Sequence, residues 1–285
     1  MSDQENRSKP PRLLPLLAGA AAAVVSALAL DAFWIEPQRV VVEELDLPVP
    51  GLPDAWTGAR LVHLSDLHYG DPRSDQLLSW MVRRVNGLEP DLIAITGDFV
   101  MRFPREVPPM IRYVERLRAR YGVLAVLGDH DYVPGTRRVI PGVVEALESA
   151  GIGLLRNRGV ELPGGLRVAG TDPRSTKVDT ADLPAALRDC PDPHLFLTHS
   201  PDLLPELSHC GVRLALCGHT HGGQVVVPFY GPPITHTRVG RRHAAGWSER
   251  GRTRLYTSRG LASHYSLRFN CPPEVTVFRM VRADG

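Results

Sequence analysis

The chain has 285 residues, 43% of them hydrophobic, and a formal net charge of +2. That length suits one catalytic domain with a short appendage, and the apolar content supplies a sizeable core. A charge so near zero leaves no electrostatic footprint for a nucleic-acid partner, and cysteines 190, 210, 217 and 271, in no CxxC or zinc-ribbon spacing, argue against a thiolate metal centre.

Residues 1–12 form a basic tail containing Arg7, Lys9 and Arg12, and Leu13 to Leu30 follows as an uncharged run rich in Ala and Leu. About 20 apolar residues cross a bilayer as a helix. Basic residues stay cytoplasmic, so the chain beyond Asp31 is expected on the extracytoplasmic side of the membrane. A cleaved signal, cut after Ala27-Leu28-Ala29, and a buried core helix are the competing readings. The run exceeds the ~7–15 apolar residues of a signal, and Phe33 with Trp34 suits an interfacial aromatic belt. An uncleaved single-pass anchor is therefore favoured, with a secreted form as the alternative.

Residues 31–57 read as a linker and a first strand that opens at Val40-Val41-Val42, and residues 58–285 as the main folded domain. Apolar runs then alternate with helical spacing, the pattern of βαβ units. Strands are expected at Arg60–Ser65, Asp91–Thr96, Val123–Leu127, Leu166–Ala169, Leu195–Thr198 and Arg213–Cys217. Helices are expected at Gln76–Val85, Met110–Arg118, Val143–Ala150 and Leu203–Leu207. From Gly222 onward strands and turns dominate, with strands at Gln224–Val227, Arg254–Thr257 and Val275–Phe278. Cys217 reads as a buried thiol, and a Cys190–Cys210 bridge is conceivable in an oxidising compartment. Lys9 and Lys177 are the only lysines, a bias read as GC-rich coding.

Five of the apolar runs end in metal-ligand side chains. They lead to Asp66-Leu67-His68, to Gly97-Asp98, to Gly128-Asp129-His130-Asp131, to His199 and to Gly218-His219-Thr220-His221. Ligands of open α/β sheets gather outside the carboxyl ends of the strands, so these side chains should meet at one sheet edge. Carboxylates with imidazoles suit Mn, Fe or Zn. A two-metal site needs a shared ligand, which a carboxylate can be. One such residue is usually a cap or a turn residue; the coincidence of five blocks is what points to a site. His63, inside the first of these strands, reads as ordinary packing.

In order and spacing these blocks resemble those of the calcineurin-like metallophosphoesterase superfamily, over roughly residues 58–280. The segment Leu255 to Leu261, Arg268, and Cys271 to Val275 resembles its membrane-anchored bacterial phosphodiesterase branch, as does Gly222-Gly223-Gln224. The resemblance implies an α/β, four-layer αββα sandwich. It implies that Asp66, His68 and His221 bind one divalent ion, that Asp98 bridges, and that Asp129, His199 and His219 bind the other. It implies metal-held hydroxide as nucleophile and His130 as general acid near the leaving oxygen. Asp131 would orient His130 or cap the helix after it.

Two departures stand out. The family usually has Asn where Asp129 stands, which adds a negative charge beside an anionic substrate. Phe99-Val100-Met101-Arg102 also lacks the pattern of protein phosphatases. The expected function is a phosphodiesterase or pyrophosphatase on a membrane- or envelope-borne, lipid-linked substrate, acting as a monomer. The loop from Pro228 to His243, with Tyr230, His236, Arg238, Arg241 and Arg242, is a candidate for headgroup recognition or a plain solvated loop. A non-catalytic module of this fold is the rival class, and the intact ligand set argues against it; a secreted phosphomonoesterase is a further alternative.

Overall fold

The computed structural model describes residues 13–263 and 266–283. Helix α1 (Leu13–Leu30) is exposed along residues 15–30, so it is not a core helix of this chain. The helical stretch Pro15–Gln38 has a mean hydropathy of 2.0 and is long and apolar enough to cross a membrane.

Two six-stranded sheets follow. The first contains β1 (Val41–Val49), β2 (Arg60–Leu64), β3 (Leu92–Thr96), β4 (Val123–Val126), β5 (Ile152–Leu154) and β12 (Glu274–Arg282), in the order β1-β12-β2-β3-β4-β5. The second contains β6 (Arg158–Leu162), β7 (Leu166–Gly170), β8 (Leu195–Leu197), β9 (Leu214–Cys217), β10 (Gly246–Arg250) and β11 (Thr253–Thr257), in the order β10-β11-β9-β8-β7-β6. β2 to β5 run parallel, and so do β7, β8, β9 and β11. Parallel strands covered on both faces read as unbroken apolar runs rather than alternating ones, and β3 and β4 are buried at every residue.

The sheets pack face to face. Leu61, Leu92 and Val126 of the first meet Val168, Leu195 and Leu214 of the second. Helices α2 (Ser74–Asn86), α3 (Val107–Val114) and α4 (Val143–Ser149) cover the outer face of the first sheet; α5 (Leu183–Asp189) and α6 (Leu204–His209) cover that of the second. The result is the αββα sandwich. α2 shows why a helix forms there: Leu78, Met81, Val82 and Val85 fall on its buried face. Asp75 in its first turn and Arg83 and Arg84 in its last complement the helix dipole.

Several expectations need correction. The third helix starts at Val107, because Pro108 and Pro109 fit a first turn that lacks partners for its N–H groups. Gln224–Val227 is no strand: it makes only isolated bridges, Val225 with Phe269 and Val227 with Gly231. Cys190 is buried and Cys210 exposed, both as free thiols, so that bridge is absent.

His63 is fully buried between the sheets, with Nε2 2.9 Å from Thr96 Oγ1 and its ring stacked on Phe278. Burial pushes its pKa from 6.5 down to about 3. The folded protein therefore keeps this ring neutral while the unfolded chain binds a proton. Stability from His63 is complete above pH 6.5 and is lost as pH falls towards about 3. The loss approaches ~1.4 kcal/mol per pH unit. Replacing His63 with Gln should flatten the acid limb of urea-unfolding stability against pH relative to wild type; parallel limbs would refute the assignment.

Candidate metal centre

Each ligand block begins where a strand of one sheet or the other stops. Beyond β2 the chain turns through Asp66 and His68, beyond β3 through Asp98, and beyond β4 through Asp129. Beyond β8 comes His199, and beyond β9 His219 and His221. Five of these seven residues hold the left-handed backbone: Asp66 at φ 56°, His68 at 42°, Asp98 at 58°, His219 at 74° and His221 at 51°. Such conformations cost on the order of 1–3 kcal/mol each and persist where the surroundings over-determine them. Here the loops pin one another. Asp66 N–H donates to Gly97 O (3.0 Å), His68 N–H to Asp98 O (2.9 Å) and Gly218 N–H to His199 O (2.9 Å). Gly97, at φ 90°, has no room for a side chain: a Cβ there would lie 2.5 Å from Gly128 N and 2.8 Å from His199 Nδ1.

The seven side chains form two buried groups. Asp66, His68 and His221 make one; Asp98, Asp129, His199 and His219 make the other, with the donor atoms of each group within 4.8 Å of one another. Asp98 Oδ2 lies 3.4 Å from His68 Nε2 in the first group and 3.4 Å from His199 Nε2 in the second. One carboxylate oxygen therefore stands between both groups. Within the groups, His68 Nε2 is 3.2 Å from His221 Nε2, and Asp129 Oδ1 is 3.0 Å from both His199 Nε2 and His219 Nδ1. Donors each ~2.0–2.2 Å from a shared ion have such separations.

In three of these rings the far nitrogen is held as a ligand requires. His199 Nδ1 is 2.7 Å from Thr96 O, His221 Nδ1 3.0 Å from Ala262 O, and His219 Nε2 3.1 Å from His236 O. Each ring so donates its N–H to a carbonyl and turns its other nitrogen inward.

The electrostatics agree. Burial pushes the Asp98 carboxyl up, but His199, His130 and His68 outweigh it and hold the group well below the usual carboxylate range. Asp129 is also held well below, because His219 and His199 overcome its burial. Burial lowers His199, yet the Asp98 and Asp129 carboxylates raise it well above its ordinary value. Burial and then His68 keep His221 neutral. The group of Asp98, Asp129 and His199 so draws positive charge, whereas burial in the first group pushes the Asp66 carboxyl up; the oxygen and nitrogen donors of both groups fit divalent cations.

Above the two groups opens a cavity of about 530 Å³, lined by Met101, Arg102, Tyr132, Gln224 and His236 among others. His130 stands at its wall, with Nδ1 2.7 Å from Met101 O. The Asp131 carboxylate accepts from the N–H groups of Asp98, Phe99, Val100 and Gly128 at 2.8–3.2 Å, and so fastens the β3 loop to the β4 loop. Burial, then the nearby Asp98, push its pKa up to about 7.

Lys177 was not anticipated as a site residue. Its Nζ lies 2.7 Å from His130 Nε2 and 3.1 Å from Asp129 Oδ2. Its status as one of two lysines among 33 basic residues was the only signal. Arg268, marked in the sequence only as part of the branch resemblance, is fully buried and supports the centre. Its guanidinium donates to the carbonyls of His221, Arg259, Gly260, Ala262 and Cys271 at 2.6–3.3 Å. Its backbone N–H donates to Ala32 O, 2.9 Å away and just beyond α1.

A four-layer sandwich with two aspartate–histidine groups at the joined strand ends defines a metal-dependent phosphoesterase. The chain belongs to the calcineurin-like phosphoesterase family, whose pattern it matches over residues 59–223. It is 30% identical to the uncharacterized metallophosphoesterase YkuE of Bacillus subtilis, over 87% of each chain. It is 32% identical to the phosphodiesterase YaeI of Escherichia coli, over 78% of this chain and 82% of that one. Against the UDP-2,3-diacylglucosamine pyrophosphatase LpxG of Chlamydia trachomatis the identity is 26%, over 90% and 94%.

Proposed function

We propose that this chain hydrolyses a phosphodiester or pyrophosphate carried by a membrane- or envelope-borne molecule, from a domain held on the extracytoplasmic side by α1. The position of Asp98 Oδ2, 3.4 Å from a histidine of each group, carries the two-ion part of this reading. The substrate class rests on the anchor-like α1 and on similarity to a pyrophosphatase of a lipid-linked nucleotide sugar.

Asp66, His68 and His221 would hold one divalent ion, Asp129, His199 and His219 the other, and Asp98 both; Mn, Fe and Zn suit the donors. When bound, such ions polarise phosphoryl oxygens and bring the pKa of water towards ~7. The chain supplies the rest. With Nδ1–H donating to Met101 O, the ring of His130 presents Nε2 to the cavity. Nε2 also faces Lys177 Nζ at 2.7 Å; when this nitrogen carries a proton as well, the ring can give it to a leaving oxygen and return to the neutral form, a role worth ~10²–10⁴-fold. Asp131 positions that ring indirectly, by fixing the backbone on which Met101 and His130 sit. Lys177 offsets the charge that Asp129 adds and attracts the phosphate.

Lys177→Ala should lower kcat/KM about tenfold, a loss of ~1.4 kcal/mol, because Asp129 is then uncompensated. Adding Asp129→Asn to that variant should recover part of the loss; a purely additive double variant would dismiss the pairing. The function itself is tested with the full chain in detergent, stripped of metal and resupplied with Mn, Zn, Fe or Mg. Bis-(p-nitrophenyl) phosphate should be turned over faster than p-nitrophenyl phosphate. A preference for the monoester would overturn the diesterase assignment, and metal-independent turnover would overturn the mechanism.

A further inference from the structure

The segment Gln224–His243 runs from the metal centre, where His236 O accepts from His219 Nε2, across the surface towards β10. It contains Arg238, Arg241 and Arg242 and no carboxylate. Its tip is a tight turn, closed by Val227 N–H to Gly231 O (3.1 Å) and Gly231 N–H to Val227 O (2.8 Å). Phe229 holds a left-handed φ of 66° in that turn and is fully exposed, with Tyr230 63% and Ile234 62% exposed beside it. Folding alone gives no reason to hold a phenylalanine in water on a strained, hydrogen-bonded tip.

The place of this turn says what covers it. Val226 N–H donates to Phe269 O (2.8 Å) and Asn270 Nδ2 to Val226 O (3.2 Å). Asn270 N–H donates to Glu36 Oε2 (2.9 Å), and Cys271 N–H to the other Glu36 oxygen. Glu36 is buried and lies six residues beyond α1. The root of the turn is thus stitched to the segment through which α1 joins the domain. Exposed Phe33, Trp34 and Ile35 lie on that segment. Aromatic and aliphatic tips beside arginines, with no acidic residue, suit the headgroup–acyl boundary of an anionic bilayer. The Arg241 guanidinium lies 4.6 Å over the Tyr230 ring, which brings charge and apolar surface together.

We infer that the Val227–Ile234 turn is a second membrane contact, seating Phe229 and Ile234 among lipids while Arg238, Arg241 and Arg242 meet anionic headgroups; this rests on α1 spanning the membrane. Because Gln224 and His236 line the catalytic cavity, the contact would hold that cavity at the headgroup layer.

The test uses the full chain with the exposed thiol removed (Cys210→Ser), leaving three buried cysteines. F229C or W34C is labelled with an environment-sensitive fluorophore, and unchanged turnover of bis-(p-nitrophenyl) phosphate confirms each fold. The proteins are reconstituted in vesicles of phosphatidylethanolamine and phosphatidylglycerol. Both labels should be quenched by spin-labelled lipid and protected from aqueous iodide. Exchanging phosphatidylglycerol for phosphatidylcholine should weaken lipid quenching at F229C only. Lipid quenching at W34C with iodide quenching at F229C would overturn the contact and leave the anchor standing. No lipid quenching at either position would overturn the anchor reading and the contact with it. Iodide protection at F229C without lipid quenching would place protein there and overturn lipid as the occupant.

Discussion

Asp98→Ala is expected to lower hydrolysis of bis-(p-nitrophenyl) phosphate by ~10³-fold or more, equivalent to at least ~4 kcal/mol of transition-state stabilisation. On the proposed ligand assignment this side chain alone is shared, through an oxygen 3.4 Å from His68 Nε2 and 3.4 Å from His199 Nε2. Its other oxygen accepts the His130 N–H at 2.8 Å, so one truncation loosens both groups and the backbone of His130. Asp98→Asn separates these effects, because an amide oxygen can still accept from His130 but brings no charge to share. It should remain close to the alanine variant in activity while folding normally. Metal analysis should give two ions per wild-type chain and fewer in either variant. Activity within tenfold of wild type in Asp98→Asn would sink the bridging role.

Arg268→Ala should be the most damaging single change to stability, on the order of 4 kcal/mol or more, or roughly 10 °C in melting temperature. Burial pushes the pKa of this guanidinium down. Five carbonyl oxygens still surround it, and one of them, on Ala262, also accepts from His221 Nδ1. Truncation leaves buried acceptors without donors and a void where a large side chain was. Lysine cannot reproduce the planar fork of donors, so Arg268→Lys should fall between wild type and alanine. Because His221 Nδ1 shares the Ala262 carbonyl with Arg268, the lysine variant should also bind metal more weakly at temperatures where it remains folded. A melting temperature within two or three degrees of wild type for Arg268→Ala would refute this account.

What could be read from the chain and what could not divides along physical lines. The central strands were legible because β3, β4, β8 and β9 are buried at every residue, and β2 at every residue but Arg60, and they are therefore written as largely apolar runs. Each stops abruptly at a polar ligand, so strand end and site announced each other. The edges were harder. β6 and β10 are half exposed with mixed residues, and the far end of β1, which runs to Val49, was not legible because acidic residues interrupt its apolar pattern. Helix α5 went unread because its small Ala185 and Ala186 give little contrast between one face and the other. Long-range supports leave no local trace at all. Lys177 reaches His130 and Asp129 from a loop far along the chain, and Glu36 meets residues 270 and 271 only because the fold closes on itself.

The first sheet has a bearing on how the protein is made. β12 lies between β1 and β2, parallel to one and antiparallel to the other, with Val41 opposite Glu274 and His63 opposite Thr276. On the ribosome, β1 therefore emerges early and has no neighbour in its own sheet until residues beyond 274 are available. Pairings so distant in sequence form slowly, and an edge left open meanwhile invites contact with other chains. Nascent chains stalled before residue 274 should thus carry β2, β3 and β4 without the strand that ties them to β1, and should depend on chaperones until synthesis passes that point.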